Sequence, residues 1–116
     1  MISELDHDEK KTLLGILKFI INADGRISEG EIDRFSKLAE DKGFADFNSI
    51  LNEVNKEVEN LNDLSKLLNN VTAEGHREEI VQLALEMAQA DGIAVDSEGD
   101  LINYVSRVWN IEIKPG

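Results

Sequence analysis

The apolar residues of this chain recur at helical spacing almost from end to end. Leu13, Ile16, Leu17 and Ile20 share one face of a 3.6-residue period. Leu14, Phe19 and Ile21 widen that face into a stripe suited to a largely buried helix, predicted over 4–23. Asp24-Gly25 ends it, because glycine reaches the left-handed conformation a helix C-cap uses. Ser28 is a good N-cap, and Glu31, three residues on, completes a capping-box spacing. A second helix therefore starts near 29, turns Ile32, Phe35, Leu38 and Ala39 inward and stops before Gly43. A third amphipathic stretch near 46–59 sets Phe47, Ile50, Leu51, Val54 and Val58 at its apolar positions. A short helix follows near 61–69, where asparagines outside the apolar positions imply loosely set ends. Thr72 is the candidate cap of a long helix over 73–90, with Ile80, Leu83, Ala84, Met87 and Ala88 as its core face. Asp91-Gly92 ends that helix as Asp24-Gly25 ends the first. A last helix over about 96–109, with Asp96 as its candidate cap, buries Ile102, Val105 and either Val108 or Trp109, and Asn110 can end it.

A shift of 67 residues brings the two ends of the chain into register. Leu13, Leu14 and Ile16 then meet Ile80, Val81 and Leu83; "NADG" meets "QADG"; Glu31 meets Glu98; Phe35 meets Ile102. Each half is a buried helix, an Asp-Gly corner and an amphipathic helix. Two such hairpins can bury each other's apolar faces. The expected fold is all-α: a bundle of about six to seven helices with an internal pseudo-twofold repeat. It forms one domain over 1–116, with halves at about 4–43 and 72–110 and linker helices over 46–70.

Composition agrees with a helical reading. The sole proline is Pro115, and apolar residues make up 41% of the 116, enough for a core. The 24 acids outnumber the 12 bases, for a net charge of −12. Such a surface repels a phosphate backbone, so a nucleic-acid partner is not expected, whereas a cation or a basic protein suits it. There are no cysteines, which excludes disulfides and thiolate metal sites and points to a reducing compartment. The opening "MISELDHDEKK" lacks the basic start and apolar core of a signal peptide. The longest apolar run, 13–23, is broken by Gly15, Lys18 and Asn22 and is too short for a span. A soluble cytoplasmic protein, not a transmembrane one, is expected.

Candidate chemistry lies at the two corners. "NADGRISEGE" resembles part of a calcium-binding EF-hand loop, which needs oxygen ligands at positions 1, 3, 5 and 12 around a turn-making glycine at 6. With Gly25 at position 6, Asp24 and Glu31 fit positions 5 and 12, but position 1 is Ile20. With Gly92 there, Asp91 and Glu98 fit, but position 1 is Met87 and position 3 is Gln89. Both loops lack the opening acid, so the pattern is not that of an EF-hand.

What recurs is an alanine, Asp-Gly, then a glutamate seven residues after the aspartate, each time following an apolar helix. In "FIINADGRISEGEIDRF" and "LALEMAQADGIAVDSEGDLI" this resembles the TerB-like helical domains of the bacterial tellurite-resistance family, over about residues 10–110. The second copy departs from the motif, with Ala94 where isoleucine is expected. The resemblance implies an all-α bundle without catalytic activity and a role in metal-ion or tellurite stress response at the inner face of the membrane. It also implies that Asp24, Glu31, Asp91 and Glu98 are metal ligands, for a divalent cation such as Ca, Mg, Mn or Zn.

The residues themselves leave two readings of these acids. The aspartates can accept backbone N–H bonds at the start of the following helix, and Glu31 can close a capping box with Ser28. Glu98 fits that reading less well, because the residue in register with Ser28 is Val95, which cannot cap. The copies share the acid without sharing the cap, which favours pairing with a base or cation binding, and a hard cation would suit the oxygen donors. His7 and His76 have no second histidine at ligand spacing and are expected to be exposed. Trp109 and Tyr104 read as core or rim residues. No nucleophile–base arrangement can be picked out, and "GRISEG" lacks the glycine spacing and the lysine of a phosphate loop.

Overall fold

A computed structural model of the chain describes residues 5–21, 29–41, 43–90 and 100–110. Among them are six helices and no strand: α1 (His7–Ile21), α2 (Glu29–Asp41), α3 (Phe47–Glu57), α4 (Leu61–Asn70), α5 (Glu74–Ala90) and α6 (Asp100–Trp109). The all-α bundle expected from the apolar periodicity is present. The corners at 24–25 and 91–92, Ser28 and Asp96 lie outside the described residues.

Helix α1 is the centre of the bundle. It packs most extensively against α5, then against α4 and α3, and also touches α6. Every residue from Lys11 to Phe19 is buried, including Lys11, Thr12 and Lys18. Gly15 permits the close approach of α4: a Cβ there would stand 3.0 Å from Leu64 Cδ1 and 3.4 Å from Leu67 Cδ1. The core faces of α3 and α5 follow the expected positions wherever burial is described; the side chains of Ala88 and Ile102 lie outside the described part of the structure. Phe47, Ile50, Leu51 and Val54 of α3 are buried with Val58 beyond its end, as are Ile80, Leu83, Ala84 and Met87 of α5. In α6, Val105 and Trp109 are buried and Val108 is half-buried, which settles the choice between the last two. In α2, Phe35 and Ala39 are buried, while Ile32 and Leu38 are half-buried. Among the described residues no helix is long and apolar enough to cross a membrane.

Helix ends show where local chemistry departs from expectation. α1 begins at His7 rather than near residue 4, because Asp6 and Glu9 cap it reciprocally. Asp6 Oδ1 accepts from the Glu9 amide at 2.8 Å, and the Asp6 amide donates to Glu9 Oε1 at 2.9 Å. α4 is firmly bounded despite its asparagines: Asn60 is itself the N-cap, accepting from the Asp63 amide at 2.9 Å. For α5, the Ala73 carbonyl accepts from the His76 and Arg77 amides at 3.1 Å, so Ala73 and not Thr72 holds the cap position. α2 ends in a Schellman turn. Gly43, at φ 88°, donates to the Glu40 carbonyl at 3.0 Å, and Phe44 donates to the Ala39 carbonyl at 2.7 Å. Asn110 ends α6 at φ 51°, a left-handed conformation that asparagine tolerates better than most residues.

Candidate functional site

Of the four acids expected at a site, Asp24, Asp91 and Glu98 lie outside the described residues. Glu31 lies in the first turn of α2, and its side chain is likewise outside the described part of the structure. Among the described residues no group of three or more His, Cys, Asp or Glu side chains is placed to hold a metal ion.

The described residues do assemble two charged arrangements on α1. The first lies at its N-terminal end. Glu9 is held by α1's own first turn, and its side chain is only 8% exposed. Oε1 closes the cap with Asp6, and Oε2 meets His76 Nδ1 of α5 at 2.6 Å. His76 is thus half-buried and partnered, where the sequence suggested an exposed side chain; His7 is exposed as expected and meets Glu53 at 3.1 Å. The His76 pKa is raised from its ordinary value, first by the hydrogen bond to Glu9 and further by the negative charges of Glu9, Glu79 and Asp6. Burial opposes that rise.

The second arrangement faces α3. Lys10 approaches Asp46 at 3.4 Å, and Lys11 pairs with Glu57 at 2.7 Å. Lys18 is 4% exposed. Its ammonium donates to the Val58 carbonyl at 2.8 Å, just past the end of α3, and lies 5.7 Å from the Phe19 ring centroid. A cation at a helix C-terminus is favoured by the carbonyls gathered there. Burial lowers the Lys18 pKa below 10.5, against a smaller opposing effect of Glu59. The unfolded chain therefore binds more protons than the folded one as pH rises toward 10.5, and the contribution of Lys18 to stability increases over that range. Lys18→Met removes the donor to the Val58 carbonyl and is expected to cost about 1–3 kcal/mol at neutral pH. Urea unfolding of both proteins at neutral and alkaline pH should show the deficit of the variant growing as pH rises.

Neither arrangement contains a nucleophile and base. The Thr12 hydroxyl is committed to backbone, donating to the Asp8 carbonyl at 2.8 Å with the Leu67 carbonyl at 3.2 Å. Among the described residues no buried side-chain polar atom lacks a hydrogen-bond partner.

Sequence reasoning missed both Glu9–His76 and the buried Lys18. Signals for each were present: Asp6 and Glu9 have capping-box spacing, and the 67-residue shift aligns Glu9 with His76. Lys18 sits inside an apolar run whose neighbours fill the whole circumference of the helix.

Comparison with curated proteins and with solved structures gives no significant match. A family model, described as tellurite resistance protein TerB, matches residues 8–114. That stretch takes in all of α2 to α6, nearly all of α1 and both Asp-Gly corners, and the chain belongs to the TerB family.

Proposed function

We propose that the chain is a single, non-enzymatic TerB-like domain that binds a divalent cation, or a protein partner, through its acidic Asp-Gly corners. The observation that carries this reading is the doubled pair, Asp24 with Glu31 and Asp91 with Glu98, in a chain of net charge −12. The family match across both copies supports it. Four carboxylates form an oxygen donor set, which fits hard divalent cations better than soft ones. The family's description as a tellurite resistance protein supports a role in metal or tellurite stress response, which we place in the cytoplasm at the inner membrane face.

A second reading makes the acids helix caps on a protein-interaction scaffold. The Asp6–Glu9 box on α1 favours it, since an acid at the same three-residue spacing as Ser28–Glu31 caps a helix there. Titration with Ca²⁺, Mg²⁺, Mn²⁺ and Zn²⁺, followed by amide NMR shifts, separates the two. Cation binding predicts shifts confined to residues around 24–31 and 91–98, together with a rise in melting temperature that Asp24→Asn and Glu31→Gln reduce. If no ion moves those amides at millimolar concentration, the cation reading fails and the scaffold stands.

A further inference from the structure

We propose that the Glu9–His76 contact is a pH-sensitive latch that ties the starting ends of α1 and α5 together, tight under acidic conditions and looser under alkaline ones. It stands on geometry independent of the acidic corners and does not rest on the cation reading.

Three observations carry the latch. The contact is short, 2.6 Å between His76 Nδ1 and Glu9 Oε2, and it joins residues 67 positions apart. Its carboxylate is fixed rather than free, because the other oxygen accepts the Asp6 amide within the α1 cap. It also joins the most extensively packed pair of helices in the bundle, α1 and α5. A change at this contact therefore acts on the seam between α1 and α5.

The chemistry sets its direction. An ionised carboxylate only accepts, so Nδ1 carries the hydrogen in either charge state of the ring. With Nε2 also protonated, the bond is an imidazolium–carboxylate pair. With Nε2 deprotonated, the same bond persists with a neutral donor and is weaker. Among the described residues, the charged groups acting on His76 are Glu9 from α1, Asp6 from the segment before it and Glu79 from α5 itself, all acidic and all favouring the charged ring. The folded-state pKa of His76 is therefore raised. Its contribution to stability is fully present below the unfolded value of about 6.5 and is lost as pH rises through the folded one.

The test follows the His76 ring by NMR in the full chain across the neutral range, alongside the chain unfolded in urea. The folded midpoint should lie above the unfolded one, and the Asp6 and Glu9 amides should shift with the same midpoint as the ring. Glu9→Gln keeps an acceptor for the Asp6 amide but removes the charge, and it should return the midpoint toward the unfolded value. His76→Asn should reduce melting temperature more at about pH 5.5 than at about pH 8, on either side of the ordinary histidine range. Equal folded and unfolded midpoints, an unchanged midpoint in Glu9→Gln, or a pH-independent effect of His76→Asn would each overturn the latch. The wild-type ring and amide titrations decide the matter even where a variant does not fold.

Discussion

Trp109→Ala should lower stability by about 3–5 kcal/mol, the usual cost of emptying a buried indole site. That is a large share of the roughly 5–15 kcal/mol that holds a small domain together. Trp109 is 3% exposed at the end of α6 and fastens three helices. Its Nε1–H donates to the Leu68 carbonyl in the last turn of α4 at 2.8 Å. The Arg77 guanidinium of α5 lies 5.9 Å from the Trp109 ring, and Arg77 Nε donates to the Val71 carbonyl at 2.8 Å. The carbonyls at and just past the end of α4 thus receive donors from both α5 and α6, where cationic and N–H groups are favoured. Trp109→Phe keeps most of the apolar contact and loses the donor. The Leu68 carbonyl retains the Val71 amide at 3.2 Å, so this variant should cost only about 1–2 kcal/mol. Urea unfolding followed by far-ultraviolet circular dichroism reads both, since the chain has one tryptophan and either variant removes its fluorescence. A loss below about 1 kcal/mol for Trp109→Ala would mean that α6 is not anchored through this residue.

Phe44→Ala should be of similar size, about 3–5 kcal/mol. Phe44 is fully buried immediately after the Schellman turn. Its ring meets Phe47 edge-to-face, with centroids 5.6 Å apart at 80°, and the Lys10 ammonium lies 5.5 Å from its centroid. Edge-to-face packing and a cation over the ring each add to the burial. Phe44 is the apolar residue that commonly follows a Schellman turn, and Ala39, whose carbonyl accepts its amide, is buried as well. Phe44→Leu, which leaves less empty volume, should cost less than Phe44→Ala. Both are read by thermal melts and by amide exchange at Gly43 and Phe44, whose backbone bonds form the turn. Protection at those amides should fall in Phe44→Ala, because the turn loses the side chain that presses it against α3.

The helices were legible because each announces itself locally. Leu13, Ile16 and Leu17 repeat at helical spacing, and so do Phe47, Ile50, Leu51 and Val54, and burial follows that spacing in the structure. The TerB resemblance was legible for a related reason: its motif is short, contiguous and present twice. Helix starts were read less well. Cap geometry depends on one or two backbone angles, and Asp6, Asn60 and Ala73 each displaced or sharpened an expected boundary. The candidate site is a mixed case. The identities and spacing of Asp24, Glu31, Asp91 and Glu98 came from the sequence, and their roles are what the cation titration decides.

The sequence alone therefore determined the class of fold, the approximate extent of the described helices, most of their described inward faces and the family. These are properties of periodicity and short-range spacing, which a linear pattern carries in full. Only the tertiary structure decided which polar groups the bundle takes inside and what they meet there. Lys18 is buried because the Val58 carbonyl at the end of α3 accepts its hydrogen bond. His76 is drawn from solvent because Glu9, 67 residues away, is already fixed by its own cap. Trp109 closes α4 rather than α6, its own helix. Partnerships of this kind depend on how helices distant in sequence cross, and a buried polar group is tolerated only where such a partner is supplied.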